Sequence, residues 1–128
     1  MIKYEEYFIS NQYGKSNCVV RTMCKIFNKD YDTVFNELVA LAKELNQNSF
    51  NDIEVFEEYL KRNNFEKIKY GKNLKVKDLE LDNNTYVVFC YDKKDWYHIV
   101  PIIDNVLYDK NDKALDLYII TIYKNMAK

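Results

Sequence analysis

Glycine, proline and histidine are scarce in this chain, which has two glycines, one proline and one histidine in 128 residues. Hydrophobic residues make up 48% and aromatic residues 16%. So few chain breakers and so many aromatic side chains argue against disorder and for a packed core. The length suits one domain. We expect a single domain over residues 1–128, with a helical part at about 17–64 and a sheet part at about 65–124.

The chain also lacks a strong net charge and a long apolar run. Its 19 basic and 20 acidic residues nearly cancel, so it has no general attraction to nucleic acid or anionic lipid. No apolar stretch approaches the roughly 18 residues that span a bilayer. Residues 1–6 lack the basic-then-apolar pattern of a signal peptide. We therefore expect a cytoplasmic protein with neither a nucleic-acid nor a membrane partner.

Only three cysteines are present, Cys18, Cys24 and Cys90. An odd number without a secretion signal argues against a disulfide framework and predicts free thiols. The lone histidine, His98, and the absence of closely paired cysteines argue against a zinc site. We expect no metal and no other cofactor.

The first half of the chain has the apolar period of helices. Ser16 or Asn17 can cap a first helix, which would place Cys18 in its first turn. A second helix should begin near Asp30 or Asp32, and a third near Ser49 or Asn51, ending at residues 63–64. The inward positions expected of the second helix are Val34, Phe35, Leu38, Val39, Ala42 and Leu45.

The second half has the pattern of strands and turns. Thr85–Tyr91 is rich in β-formers and predicts a central strand. His98 lies on the next strand, and residues 104–105 predict a tight hairpin. Pro101 predicts a local edge or bulge, because it cannot donate to a ladder. Residues 1–16 are read as a loop. Helices followed by an antiparallel sheet indicate the α+β class.

A cysteine at the start of a helix is favourably placed to act as a nucleophile. The helix N-terminus stabilises a thiolate, and His98 could take and return its proton. Asp109, with Asp112 as the alternative, follows the hairpin and could orient the imidazole. The backbone N–H of Cys18 and the side-chain amide of Gln12 could stabilise an oxyanion.

These residues carry a resemblance to papain-like cysteine peptidases. Gln12 stands six positions before Cys18, a spacing shared by the double-glycine leader peptidases that process bacteriocins, although those usually have Asp where this chain has Asn17. Residues 96–100, Trp-Tyr-His-Ile-Val, resemble their His-x-Val strand. In this resemblance Asp109 corresponds to the residue that orients the histidine, which favours it over Asp112.

Residues 12–112 resemble more closely a group of small, mostly uncharacterised bacteriophage and prophage proteins. These read Asp-Cys-Val-x-Arg-Ala where this chain has residues 17–22, Asn-Cys-Val-Val-Arg-Thr. The resemblance implies a papain-like fold, with N-terminal helices packed on a C-terminal antiparallel sheet. For a phage-encoded protein it implies a location in the cytoplasm of the bacterial host.

Three functions follow as hypotheses. The first is a cysteine peptidase or thiol hydrolase that cleaves a peptide or isopeptide bond by a Cys-His-Asp mechanism. The second is an inactive papain-like domain that binds a protein partner, and the third is an acyl transferase of transglutaminase type. Asn17, Trp96 and Tyr97 are candidate substrate-binding residues. Cys24 and Cys90 are expected in the core, and Arg21 on the surface or helix face.

Overall fold

The computed structural model describes residues 1–7, 9 and 17–127. Within these residues the chain forms three α-helices and one six-stranded sheet, a mixed architecture that is compatible with the predicted α+β class. The helices are α1 (Cys18–Phe27), α2 (Tyr31–Glu44) and α3 (Ile53–Arg62). The strands are β1 (Lys3–Glu6), β2 (Phe65–Ile68), β3 (Thr85–Tyr91), β4 (Tyr97–Ile103), β5 (Val106–Asp109) and β6 (Tyr118–Asn125). Two short 3₁₀ helices cover Val76–Asp78 and Asp112–Asp116.

The start of α1 confirms the prediction that Cys18 lies in a first turn, since Cys18 is the first helical residue. Asn17 occupies the N-cap position, but its side chain makes no capping hydrogen bond. It accepts instead from Arg21 Nη1 at 2.8 Å, one turn further along the helix. In α2 the carboxylate of Asp30 caps the helix in the usual way by accepting from Thr33 N–H at 2.8 Å.

The inward face of α2 differs in part from the predicted one. Leu41 is buried, whereas Val39, which was predicted to point inward, is only half-buried. Val34, Leu38 and Ala42 are buried as predicted. Leu38 and Leu41 are three residues apart and therefore lie on the same face of the helix, which turns that face away from Val39.

The sheet has the strand order β1-β5-β4-β3-β6-β2, so β3 is central as predicted. Neighbouring strands are antiparallel except that β1 runs parallel to β5. The prediction of a loop over residues 1–16 is therefore wrong for Lys3–Glu6, and the sheet is not wholly antiparallel. This edge strand has the sequence Lys-Tyr-Glu-Glu, which lacks apolar alternation, so its pairing with β5 decides its conformation.

The hairpin between β4 and β5 brings the ends of these strands together. Asp104 and Asn105 both have positive φ angles, 51° and 64°, as a two-residue type I′ turn requires. Ladder pairing between β4 and β5 is confined to residues 102–103 of β4 and 106–107 of β5. Pro101 lies just beyond that pairing, so β4 is locally an edge there, as predicted.

Both faces of the sheet are covered. Val87, Phe89 and Ile99 pack with the three helices in one core, while Val88 and Val100 belong to a second core on the other face, with the two 3₁₀ helices. α1 is fastened to β4 by a buried hydrogen bond from Thr22 Oγ1 to the carbonyl of Ile99 at 3.1 Å. No helix of the described residues is both long enough and apolar enough to cross a membrane.

Leu38 and Val39 provide a matched test of the α2 packing. Leu38 is fully buried, so Leu38→Ala should lower the free energy of unfolding by about 2–5 kcal/mol. The half-buried Val39 should lose less than about 1 kcal/mol as Val39→Ala. Urea denaturation of both variants measures the difference. Equal losses would contradict the orientation of α2.

Candidate active site

Cys18 lies at the N-terminus of α1 and is partly accessible to solvent. Burial alone would raise the pKa of its thiol. The hydrogen bond and the positive charge of His98 outweigh burial, and the backbone of Ile99 and the charge of Arg21 act in the same direction, so the pKa of Cys18 lies below its usual value. The first N–H groups of a helix have no intrahelical partner, which leaves them free to stabilise negative charge beside this sulfur.

His98 joins Cys18 to a buried carboxylate. His98 is 8% exposed, and its Nε2 lies 2.7 Å from Oδ2 of Asp109. Because Nε2 is taken by Asp109, Nδ1 is the nitrogen left for the hydrogen bond with Cys18. Burial disfavours the imidazolium, but the hydrogen bonds and charges of Asp109 and Cys18 prevail and raise the pKa of His98 to about 9.

Asp109 ends β5 and is only 3% exposed. One carboxylate oxygen meets His98, and the other accepts from Arg21 Nη2 at 2.7 Å. Its backbone carbonyl accepts hydrogen bonds from Tyr7 N–H at 2.8 Å and from the Tyr4 hydroxyl at 3.0 Å. These bonds hold Asp109 against β1, which contains Tyr4, and against Tyr7, which directly follows β1. Burial would raise the pKa of Asp109, but His98, the Lys110 N–H and Arg21 lower it, so the carboxylate stays ionised.

Asp112, the alternative third residue, is exposed at the start of the second 3₁₀ helix. The carboxylate that the structure brings to His98 is therefore that of Asp109. Gln12, predicted to stabilise the oxyanion, lies outside the described residues.

Arg21 and Asn17 are buried parts of the same network, at 2% and 7% exposure. The expectation that Arg21 lies on the surface is wrong, because its guanidinium bridges Asn17 Oδ1 and Asp109 Oδ1. Asn17 lines the cleft beside Cys18, but its side-chain oxygen is committed to Arg21. The sequence held one signal of this arrangement, since residues 17 and 21 are four apart and share a helix face.

The other two cysteines lie in the core, as predicted, and all three thiols are free. Burial raises the pKa of Cys24 to about 11, with a smaller effect from Asp30. Cys90 is fully buried, and burial raises its pKa even further. Cys18 is thus the one cysteine whose pKa is lowered. Among the described residues, no group of three or more His, Cys, Asp or Glu side chains is arranged to hold a metal ion.

A cleft of about 730 Å³ opens beside Cys18, His98 and Asp109. One wall is a continuous aromatic cluster of Phe56, Phe89 and Tyr97, which we call the aromatic wall. The rings of Phe56 and Phe89 meet edge to face with centroids 5.4 Å apart, and the rings of Phe89 and Tyr97 stack with centroids 5.9 Å apart.

The rim of the cleft is apolar and accessible to solvent. Ile53, Trp96 and Tyr97 line it and are 46%, 42% and 52% exposed. The structure thus brings Trp96 and Tyr97 to the cleft, and their role in substrate binding stays a prediction. The Trp96 ring stacks on the imidazole of His98, with centroids 5.0 Å apart and planes at 20°. A tryptophan face there favours the imidazolium and covers the ring from water.

The link between His98 and Asp109 predicts a specific NMR titration. The only histidine in the chain should keep its proton until about pH 9. Asp109→Asn should lower its pKa by about 1–3 units, because the buried imidazolium loses its counter-charge. Long-range ¹H–¹⁵N spectra measure this directly. Asp112→Asn is the matched control and should leave the titration unchanged; the reverse outcome would make Asp112 the partner.

The comparisons with known proteins place no family name on this site. No protein-family model matches the chain, and no curated protein and no solved structure gives a significant match.

Proposed function

We propose that this chain is a cysteine peptidase or a related thiol hydrolase with a papain-like fold. One observation carries the proposal: a half-buried thiol at a helix start pairs with an imidazole whose far nitrogen bonds a buried carboxylate. Nucleophilic cysteines need a lowered pKa and an oriented acid–base partner, and Cys18 has both. The packing of α1 against β4, which bears His98, supports the papain-like fold.

The reaction would begin with the thiolate of Cys18 and the imidazolium of His98. The sulfur electron pair attacks the carbonyl carbon, forming a C–S bond while the C=O π electrons move to the oxygen. The backbone N–H of Cys18 is placed to donate to that oxyanion. As the C–N bond breaks, His98 gives its proton to the leaving amine. Water then attacks the thioester carbonyl carbon while His98 takes a proton from it, and the C–S bond breaks, which releases the acid and restores the Cys18 thiolate and the His98 imidazolium.

The cleft favours an extended peptide with an apolar side chain as the substrate. The aromatic wall and the exposed Ile53 side chain form an apolar surface beside the nucleophile. Burying an apolar side chain against such a surface contributes roughly 1.5–3 kcal/mol. Trp96 covers one face of His98, so part of the proton-transfer site is dry even before a substrate binds.

Selective alkylation tests the reactivity of Cys18. Iodoacetamide should label Cys18 faster than Cys24 or Cys90 near neutral pH, because the other two thiols are buried and have raised pKa values. In wild type the pH midpoint of Cys18 alkylation should fall well below the free-thiol pKa of about 8.5. In His98→Ala it should rise to that value or above, because burial is then opposed by fewer charges. Peptide mapping by mass spectrometry follows all three cysteines in one sample.

Cleavage of a peptide library tests hydrolysis itself. Wild-type protein should generate new termini in a proteome-derived library, with an apolar residue recurring near the cut, and Cys18→Ala should generate none. An added amine distinguishes the routes, since a transferase would join it as an amide to the acyl group held on Cys18, where hydrolysis leaves a carboxylate. A pattern shared by wild type and Cys18→Ala would contradict the proposal.

A binding role is the second candidate, because the exposed apolar rim of Ile53, Trp96 and Tyr97 would serve a bound partner equally well. It would be favoured if wild type cleaves nothing and Cys18→Ala retains the biological effect of the protein.

A further inference from the structure

The Arg21 guanidinium connects two parts of the site that are far apart in the sequence. Its Nη1 lies 2.8 Å from Oδ1 of Asn17, and its Nη2 lies 2.7 Å from Oδ1 of Asp109. Asn17 directly precedes Cys18, and Asp109 directly contacts His98. The side chains of Arg21 and Asp109 are 3% and 4% exposed, so water screens little of this ion pair.

We propose that Arg21 is a positioning residue, whose guanidinium holds the start of α1 and the carboxylate of Asp109 at a fixed separation and so keeps Cys18 and His98 within reach of each other. This inference rests on the proposed function in that Cys18 and His98 are its reacting pair. Arg21 acts through Asn17 and Asp109 and does not itself enter the reaction.

The geometry requires an arginine and not merely a positive charge. Arginine is planar and donates from two terminal nitrogens in a rigid fork, which matches two acceptors on separate elements. A lysine ammonium is a point charge on a flexible stem, and lysine's shorter side chain would bind only one of the two acceptors at a time. Losing the fork leaves Asp109 free to rotate away from His98 Nε2.

The charges in this network alternate and balance. In the ion-pair form that the proposed reaction uses, the Cys18 thiolate faces the His98 imidazolium, which faces the Asp109 carboxylate, which faces the Arg21 guanidinium. From the β1 side the network meets two phenols, those of Tyr4 and Tyr7, whose pKa values burial raises, so they stay neutral.

Among the residues that the structure describes, the other hydrogen-bond partner of Arg21 is Asn17, a neutral amide, and the carboxylate that pairs with the guanidinium is that of Asp109. Asn17→Asp would add a second carboxylate that competes for Arg21 and places negative charge next to the thiolate. An acidic N-cap stabilises a helix start, so this variant is expected to fold.

The experiment compares Arg21→Lys, Arg21→Met and Asn17→Asp with Arg62→Met. Arg62 is the other arginine in the sequence. Its side chain is largely exposed and forms an ion pair with Glu44. The readouts are the pH midpoint of Cys18 alkylation and the His98 Nε2–H signal in NMR spectra, with circular dichroism as the check on folding.

We expect the alkylation midpoint to rise by about one pH unit or more in Arg21→Met and Asn17→Asp, which means about tenfold slower labelling near neutral pH. Arg21→Lys should restore the midpoint only in part and should still lose the sharp His98 Nε2–H signal. Arg62→Met should match wild type in both readouts.

The proposal is overturned if Arg21→Lys keeps the wild-type midpoint and His98 signal, because charge alone would then suffice. If Arg21→Met fails to fold, Arg21→Lys and Asn17→Asp decide the question, and wild-type behaviour of either one overturns the proposal. An unreactive Cys18 in wild type would defeat the proposed function instead. The His98 Nε2–H signal would still report in that case whether Arg21 orients the Asp109–His98 pair.

Discussion

The site is organised around one buried carboxylate with two cationic partners. Asp109 divides its oxygens between His98 and Arg21, each 2.7 Å away. A buried charge is costly unless it is paired and hydrogen-bonded, and here each oxygen has a donor of its own. Because those donors come from β4 and α1, burying this carboxylate fixes a strand and a helix relative to each other.

The fold brings this carboxylate to its partners through a few local features. The tight turn at Asp104–Asn105 returns the chain beside β4. Ladder pairing between β4 and β5 ends after two residue pairs, and beyond it the side chains of His98 and Asp109 meet. β1 supports the far side, since Tyr7 N–H and the Tyr4 hydroxyl bond the Asp109 carbonyl. Thr22 fastens α1 to β4, so the N-terminus of that helix faces the histidine.

Cys18 and His98 were predictable because each depends on a local pattern. The apolar period of residues 19–27 places Cys18 at a helix start, and the lone histidine lies within a run of β-formers. The position of Asp109 depends on the hairpin as well. The sequence pattern alone allows Asp112 as the alternative, and the family resemblance favours Asp109.

The parts that the sequence did not predict depend on tertiary contacts. A charged residue on a helix is read as exposed, and only the approach of β5 makes Arg21 a buried partner of Asp109. β1 is a short polar edge strand whose conformation comes from β5. Likewise, Leu41 is buried in α2 and Val39 is only half-buried because of the way that helix packs on its neighbours.

The central claim is that the folded protein holds a thiolate–imidazolium pair at neutral pH. Ultraviolet absorbance of the thiolate measures this directly, as the difference between wild type and Cys18→Ala during a pH titration. The account predicts one thiolate per molecule at pH 7, because Cys24 and Cys90 have raised pKa values and stay protonated. A difference signal that emerges only at or above the free-thiol value of about pH 8.5 would contradict it.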